Sequence, residues 1–279
     1  MGIKMQVKNN FERFVLITLA LAWAIICLFP IWMVISVTFS TDTSNITQTF
    51  FPNSLMNGIV KIKFALNTVN IWKATIDTFL YTFIAIIGML VTSSLAAYEF
   101  AFYNFPFKKI LFSTVMISMM LPIILYVIPL YRFVYEIGLT DTYFGIALPI
   151  MISPFSVFLL KQFSEDFPKD LLEAAKIDGA NHFQIYFHIV LPLMRNGLIT
   201  ATVLLFLKSW GAYLWPSLAS GQKISPISVT IANLLNPNFY VDTRVKIASM
   251  LLSMLPPLAI YLIFQRYVIR GISMSGIKG

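Results

Sequence analysis

Long apolar stretches, separated by shorter polar ones, organise this chain of 279 residues. A helix needs about 20 apolar residues to cross the hydrocarbon of a membrane, and six stretches reach or approach that length. Lys208, in the fifth stretch, is the only charged residue in any of the six. The pattern predicts an all-α protein, a polytopic membrane bundle with six transmembrane helices at 14–37, 78–98, 110–131, 142–160, 196–216 and 247–265.

Composition agrees with a membrane protein. Hydrophobic residues make up 58% of the chain and charged residues 11%, whereas soluble domains are about 45–50% apolar and about 25% charged. The net charge of +8 comes from scattered cations, without the basic, aromatic-interleaved stripe of a nucleic-acid interface, so we expect no nucleic-acid partner. The one cysteine, Cys27, lies in an apolar stretch, which argues against disulfides within the chain and against zinc or thiol chemistry.

The basic residues divide unevenly between the two sides of the predicted bundle. Of the 20 basic residues, 12 lie on the side of the two termini and 7 on the other, and Lys208 lies within a span. Because loops rich in Lys and Arg remain in the cytoplasm, we expect both termini and the loop before the fifth span to be cytoplasmic. The longer loops at 39–76 and 217–246 then face outward, and membrane lipid surrounds the helices.

The loop before the fifth span, residues 164–195, is called here the polar segment. It contains EAAKIDGANHFQIYFHIVLP at 173–192. Pro168 suits a first helical turn, Gly179 suits the left-handed end of a helix, and Asn181 suits the cap of a second helix. We therefore expect two short helices joined by a tight turn. Their predicted apolar faces are Leu171, Leu172 and Ala175 in the first helix, and Phe183, Tyr186, Phe187 and Val190 in the second.

The spacing within this segment resembles the EAA loop of ABC importer permeases. The residues that carry the resemblance are Glu173, Ala174, Ala175, Asp178, Gly179, Ala180, Phe183, Phe187, Ile189, Leu191 and Pro192. In that family the loop forms a coupling helix that docks in a cleft on a cytoplasmic ATPase. The resemblance implies an ATPase-coupling role for Glu173, Ala174, Ala175, Asp178, Gly179, Ala180 and Pro192.

Three further stretches extend the resemblance from about residue 75 to the end of the chain. LTDTYFGIALP at 139–149, WGAYLWPSL at 210–218 and RGISMSGIKG at 270–279 are similar to parts of carbohydrate-uptake permeases, in particular the smaller six-span subunit of maltose-type systems. The chain departs from the family at Gly211 and Ala212, where relatives usually carry an asparagine followed often by an acid or amide. Gly211 and Ala212 offer no polar side chain for the role that those positions have in the family.

The resemblance implies a type I ABC importer permease fold in a bacterial or archaeal plasma membrane. Residues 1–74 would form the N-terminal tail, first span and outer loop, residues 75–266 the transmembrane domain with its coupling loop, and residues 267–279 a cytoplasmic tail. The implied partners are a second permease chain, two ATPase subunits, an extracytoplasmic solute-binding protein and a sugar substrate. The binding protein is expected to contact residues 217–243.

We expect a transport subunit and not an enzyme. The chain has no G-x-x-x-x-G-K-[ST] loop to hold phosphates, so ATP and magnesium are expected on the partner ATPase. No Ser/His/Asp set or carboxylate pair converges in the sequence. His182 and His188 are six residues apart, which does not place them on one helix face, and both are interpreted as surface or packing residues.

Candidates for the substrate pathway are Lys208, Trp210, Tyr213, Tyr126 and Ser153, because aromatic faces and hydroxyls suit sugars. Lys208 has two interpretations: it reaches outward to the membrane interface, or it faces a cavity that holds a polar or anionic solute. The substrate is a sugar, a phosphorylated polyol or another small polar solute. The alternative to the ABC interpretation is a stand-alone secondary transporter, which predicts acidic or histidine residues within the spans, and the sequence has none there.

Overall fold

The computed structural model describes residues 10–41, 49–165, 167–168, 170–236 and 241–275. Regular structure in these ranges is helical throughout, as the sequence predicted. The α-helices are α1 (Asn10–Thr38), α2 (Leu55–Thr68), α3 (Ile71–Phe102), α4 (Lys108–Met120), α5 (Val127–Glu136), α6 (Tyr143–Met151), α7 (Pro154–Glu165), α8 (Asp170–Ile177), α9 (His182–Ile185), α10 (Leu191–Leu193), α11 (Arg195–Trp210), α12 (Leu214–Ala219), α13 (Ile227–Leu235) and α14 (Thr243–Ser275). A 3₁₀ turn at Ile123–Leu125 and a π-helical turn at Tyr186–Val190 complete them.

Three of these helices are each long and apolar enough to cross a membrane. They are Phe11–Thr38, Ile71–Phe102 and Thr243–Ile269, and they contain the predicted first, second and sixth spans. Two bent pairs pass the same test when each is taken as one span: α6 with α7, bent by 47°, and His182–Leu193 with α11, bent by 71°. The described helices therefore offer three spans, or up to five when each bent pair counts as one.

The predicted third span, 110–131, is divided between two helices. Leu121 ends α4 in an extended conformation (φ −75°, ψ 117°), and Pro122 then begins a 3₁₀ turn that leads into α5. A proline disfavours the α conformation in the residue before it and donates no backbone hydrogen bond. The apolar stretch is long enough to span a membrane, but Pro122 prevents it from forming one continuous helix.

The chain divides into two compact units. The first comprises Met1–Asn70 and Pro237–Leu252, and the second comprises Ile71–Asn236 and Ser253–Gly279. In the first unit, α2 packs through buried Ala65 against Val245 and Ala248. The predicted division into 1–74, 75–266 and 267–279 remains a prediction.

Buried Lys61 connects α2 to the end of α1 within the first unit. Its ammonium donates to the carbonyl oxygens of Thr38 (3.0 Å) and Ser40 (2.6 Å), just after the last turn of α1. A cation is favoured at the carbonyl end of a helix, where backbone oxygens lack helical partners. Burial, together with the nearby charge of Arg244, lowers the pKa of Lys61, while Asp242 acts in the opposite direction.

The second unit is built around α3, which packs against α6, α7, α11 and α13. One buried cluster joins Tyr98 of α3, Leu160 of α7 and Met194 to Leu172 and Tyr186 of the polar segment. A second cluster joins Tyr81, Val134, Ile146 and Trp215. The polar segment is therefore packed directly on the helix at the centre of this unit.

Candidate functional site

The first helix of the polar segment, α8, has a buried and an exposed face. Leu172 and Ala175 are buried in the core of the second unit. Glu173, Ala174 and Asp178 are exposed, and the side chain of Ile177 is 86% exposed. Leu171, predicted on the apolar face, is 46% exposed. Glu173 and Ala174 therefore face away from the protein core, whereas Ala175 faces it.

Gly179 ends this helix in the left-handed conformation, as predicted (φ +83°). The amide of Gly179 donates to the carbonyl of Lys176 at 3.1 Å, and the amide of Ala180 donates to the carbonyl of Ala175 at 3.0 Å. This pair of hydrogen bonds is the Schellman motif, which satisfies the last carbonyls of a helix. Nothing lies within 4 Å of the position a Cβ on Gly179 would take, so only the backbone conformation requires glycine.

Asn181 caps the second helix, also as predicted. Its side chain accepts from the amide of Gln184 at 2.9 Å, and the side chain of Gln184 accepts from the amide of Asn181 at 2.8 Å. These two bonds form a capping box. Both ends of the turn between the two short helices are therefore fixed by local hydrogen bonds.

The second apolar face differs from the prediction. Tyr186 and Val190 are buried, but Phe183 and Phe187 are 67% and 56% exposed. The chain winds as a π-turn at Tyr186–Val190, and Pro192 follows, which has no N–H to donate to a preceding carbonyl. Ile185, Tyr186 and Val190 enter the core cluster around α3, which leaves the rings of Phe183 and Phe187 on the surface.

The polar segment is attached to the end of α3 by polar contacts that the sequence did not indicate. His182 Nε2 lies 2.6 Å from Glu99 Oε1, and the hydroxyl of Tyr98 donates to the carbonyl of His182 at 3.3 Å. One turn deeper in α3, the hydroxyls of Ser94 and Tyr186 are 2.6 Å apart. The sequence indicated only a surface or packing role for His182, and 83 residues separate it from Glu99.

A groove of about 830 Å³ borders the far end of the polar segment. Pro192 and Arg195 contribute to its wall, and Arg195 is its only charged lining residue. The other lining residues are Phe79, Thr82, Phe83, Ile86, Leu90, Val91, Ser94, Tyr186, Phe187, Leu191, Leu198, Ile199, Thr202, Val203, Phe206, Ile260 and Phe264. None of the five predicted pathway residues lines it.

Those five residues lie in different surroundings. Lys208 is exposed and Tyr213 is 51% exposed, whereas Trp210 is only 5% exposed. The indole N–H of Trp210 donates to the carbonyl of Ser253 at 3.0 Å, and its ring packs on Phe79. Trp210 is therefore held as a core residue.

The other two pathway candidates lie at helix breaks. Tyr126, 43% exposed, joins the 3₁₀ turn to α5. Ser153 lies at the bend between α6 and α7, and its hydroxyl accepts from the hydroxyl of Ser156 at 2.8 Å. No hydrogen bond, ring contact or shared groove joins the five candidates in the part of the chain that the structure describes.

A second polar site holds the loop of residues 219–227, between α12 and α13. Asp141 accepts from the backbone amides of Gly221 (2.8 Å), Lys223 (2.9 Å) and Ile224 (3.1 Å). Burial alone would raise the pKa of Asp141, but these amide hydrogen bonds outweigh it and lower the pKa below its ordinary value. The charged carboxylate is thus the form that the loop stabilises.

Buried Asp77 and Thr78 hold the far end of the same loop. Asp77 accepts from the ammonium of Lys73 (2.7 Å) and the amide of Ser225 (2.9 Å), and the hydroxyl of Thr78 accepts from the amide of Ile227 (2.8 Å). Asp77 and Asp141 are therefore two carboxylates that connect α3 and the α5–α6 turn to this loop.

The described helices, several of them of membrane-spanning length, and the polar segment packed on α3 are the features of a polytopic helical membrane protein. Residues 88–273 match the family described as "Binding-protein-dependent transport system inner membrane component". The match covers two thirds of the chain, and the chain belongs to this family. The predicted family and the transport role, rather than an enzymatic one, are confirmed.

Individual relatives are similar over most of their length. An arabinooligosaccharides transport system permease protein of Halalkalibacterium halodurans is 29% identical over 95% of this chain and 96% of its own. An sn-glycerol-3-phosphate transport system permease protein of Rhizobium meliloti is 31% identical over 73% of each chain. A chain from the crystal structure of a bacterial ABC transporter that imports the acidic polysaccharide alginate superposes with a TM-score of 0.78, at 22% identity, over 93% of this chain and 98% of that one. This last likeness confirms the predicted fold.

Proposed function

We propose that this chain is a permease subunit of an ATP-driven importer, and that the polar segment couples it to an ATPase. The observation that carries the proposal is the construction of that segment: Gly179 and the Asn181 capping box fix the turn, while Glu173 and Ala174 are exposed beside it. A short rigid helix pair with one face buried in the bundle and the other free suits transmission of motion from a partner. The same geometry without a partner has no evident use.

Within the segment, we assign different tasks to different residues. Glu173, Ala174 and Asp178 contact the ATPase, because they are exposed and the small alanine permits close approach. Gly179 and Ala180 form the turn, and Pro192 forces the π-turn that redirects the chain into α11. Ala175, 9% exposed, holds α8 against the bundle. ATP and magnesium bind to the partner ATPase.

The transported solute is a carbohydrate or a sugar-like molecule. The proposal is supported by relatives whose names specify arabinooligosaccharides and sn-glycerol-3-phosphate. Lys208 and Tyr213 remain candidates for the pathway because both side chains are exposed. Tyr126 and Ser153 remain candidates because each lies at a break between helices, where polar backbone groups become accessible. Trp210 is proposed to support this region by packing.

The orientation follows from the distribution of basic residues. Both termini and the polar segment lie in the cytoplasm of a bacterial or archaeal cell, and the 219–227 loop lies outside. A solute-binding protein contacts the outer loops at 217–243, a second permease chain completes the pathway, and two ATPase subunits bind below. Asp141 and Asp77 would then keep part of the outer contact surface in one conformation.

Two glycines allow a matched test of the polar segment. Gly179 and Gly138 both have positive φ (+83° and +71°), both have open space around them, and each donates one backbone hydrogen bond to a carbonyl three residues earlier. Proline at either position loses the donor and cannot adopt the conformation, so the local cost is similar. Gly138 lies in the α5–α6 turn, far along the chain from the polar segment.

The experiment measures ATP-dependent solute uptake by the assembled importer in vesicles. We expect Gly179→Pro and Glu173→Lys to abolish most uptake while the complex still contains this chain, and Gly138→Pro to retain uptake in proportion to the protein assembled. Equal loss in the two proline variants would contradict coupling through the polar segment. Uptake without any ATPase subunit would support the secondary-transporter alternative.

A further inference from the structure

Glu99 of α3 and His182 of the polar segment form a direct contact between a carboxylate and an imidazole. Their side-chain atoms Oε1 and Nε2 are 2.6 Å apart, and the side chains are 43% and 45% exposed. Glu99 lies one turn before the end of α3, and His182 is the first residue of α9. A hydrogen bond between ionised groups is shorter and stronger than one between neutral groups, so the charge of the imidazole determines how strongly this contact holds.

Aromatic rings surround the imidazole on the α3 side. The ring of Tyr103 is centred 4.4 Å from it and tilted by 38°, and the ring of Tyr98 is centred 5.1 Å from it. The hydroxyls of these tyrosines are hydrogen-bonded to each other at 2.7 Å. Aromatic faces attract a cation, so an imidazolium at this position would interact with both the carboxylate and the rings.

Other charged groups approach this contact from the neighbouring helices. Lys176 of α8 lies 4.8 Å from the centre of the Tyr103 ring, and Lys108 of α4 donates to the carbonyl of Tyr103 at 2.7 Å. Glu99 is the negative charge in direct contact with His182, while both lysines contact Tyr103 and not the imidazole. The carboxylate and the rings are therefore the groups in direct contact with the imidazole, and the two lysines lie farther from it.

The position of the contact gives it a mechanical consequence. His182 follows directly after the Gly179–Asn181 turn, so the contact joins the end of that turn to α3, in addition to the burial of Leu172 and Ala175 of α8. On the other side of the contact, α3 packs against α6, α7 and α11. The contact adds to the hydroxyl contacts of Tyr98 and Tyr186, which also link this part of the chain to α3.

We propose that Glu99 and His182 are positioning residues that keep the polar segment attached to α3 during the ATPase cycle, and that a positive charge on His182 strengthens the attachment. The inference rests on the proposed function, since it concerns the same segment. Its consequence is a pH-dependent coupling ratio: more solute is transported per ATP hydrolysed when the histidine is charged than when it is neutral.

The test measures solute uptake per ATP hydrolysed by the assembled importer in vesicles at about pH 6 and about pH 8, the range in which imidazoles change charge. In the native importer we expect the ratio to be about two- to fivefold higher at the lower pH, which is the effect of one partly exposed ion pair. Glu99→Gln and His182→Gln are expected to have the low ratio at both values. His182→Arg, which keeps a cation beside Glu99, is expected to have the high ratio at both.

Glu136→Gln is the matched control. Glu136 forms an exposed ion pair with Arg132 at 2.7 Å within α5, and the substitution removes the same charge without touching the polar segment. The inference is overturned if the native ratio is the same at both pH values, or if Glu99→Gln and Glu136→Gln have equal ratios. Gly179→Pro separates the two proposals: if it abolishes uptake while the Glu99 and His182 variants behave as native, the coupling function stands and this inference fails.

Discussion

The carboxylate of Asp141 accepts a hydrogen bond from the backbone amide of Gly221, 80 residues further along the chain, at 2.8 Å. The amides of Lys223 and Ile224 donate to the same carboxylate, and the amide of Asp141 donates to the carbonyl of Ala219. The carboxylate of Asp141 thus accepts hydrogen bonds from loop amides that have no carbonyl partner in a helix or strand. The 219–227 loop is therefore held in one conformation by the turn before α6.

Replacing Asp141 with asparagine is predicted to loosen this loop. The carboxamide keeps one acceptor oxygen but turns an N–H₂ group toward backbone donors, so at least one amide loses its partner. We expect the free energy of unfolding to fall by about 1–2 kcal/mol. Thermal unfolding of the purified complex measures the loss, and Glu136→Gln is the control for removal of an exposed carboxylate. Equal melting temperatures for the two variants would contradict the role of Asp141.

The lowered pKa of Asp141 predicts a pH dependence with a definite sign. A carboxyl whose pKa is lower in the folded state contributes stability that is complete above its pKa in the unfolded chain. This contribution is lost as the pH falls through the lowered pKa of the folded state. The stability difference between the native chain and Asp141→Asn should therefore be constant near neutral pH and shrink on acidification. If the stability difference between the two chains instead grows as the pH falls, the pKa of Asp141 is not lowered by folding.

Gly145 is predicted to tolerate no side chain. It lies in the first turn of α6, where a Cβ would overlap the backbone carbonyl oxygen of Leu139. Because this oxygen belongs to the backbone, it can move only if the α5–α6 turn moves with it. We expect Gly145→Ala to cost about 1–3 kcal/mol of folding stability. Gly211→Ala is the control, because the nearest atom to its Cβ is 3.7 Å away and its φ is −84°. Unfolding midpoints that change equally would refute the steric argument.

Phe183 is predicted to contribute to binding and not to folding. Its ring is 67% exposed beside the turn of the polar segment, so its removal leaves no cavity in the bundle. A large exposed aromatic side chain at an interface contributes about 2 kcal/mol or more when it is buried by a partner. We expect Phe183→Ala to weaken association with the ATPase by at least about tenfold, measured by co-purification at graded concentrations, with no change in the melting temperature of this chain.

Phe133 provides the control for this prediction. It is 52% exposed on α5, outside the polar segment. Phe133→Ala should leave ATPase association unchanged. If the two variants weaken association by the same factor, the exposed face of the polar segment is not the specific contact.

Local features of the polar segment were predictable from sequence, and distant contacts were not. The left-handed stop at Gly179 and the cap at Asn181 each depend on a few adjacent residues, so their residue types predict them. The contacts of Glu99 with His182 and of Asp141 with Gly221 join residues at least 80 positions apart. Hydrophobic periodicity predicts which face of a helix is buried, but it does not specify which polar residue lies opposite.

The helix breaks show an intermediate case. Proline disfavours a continuous helix, and the structure breaks the chain at Pro122 and Pro154. The length of the apolar stretch at 110–131 nevertheless suggested one continuous helix. The predicted apolar face of the second helix was wrong at Phe183 and Phe187, because Ile185, Tyr186 and Val190 are the residues that enter the core cluster around α3.

ATP-dependent uptake by the reconstituted importer tests the central claim most directly. Vesicles would contain this chain with its partner permease, with or without the ATPase subunits, and labelled sugar would be supplied with the binding protein outside. The account predicts uptake that requires both the ATPase subunits and ATP on the side of the polar segment, and that persists when ion gradients are dissipated. Uptake that continues without the ATPase and stops when the ion gradients are removed would contradict it.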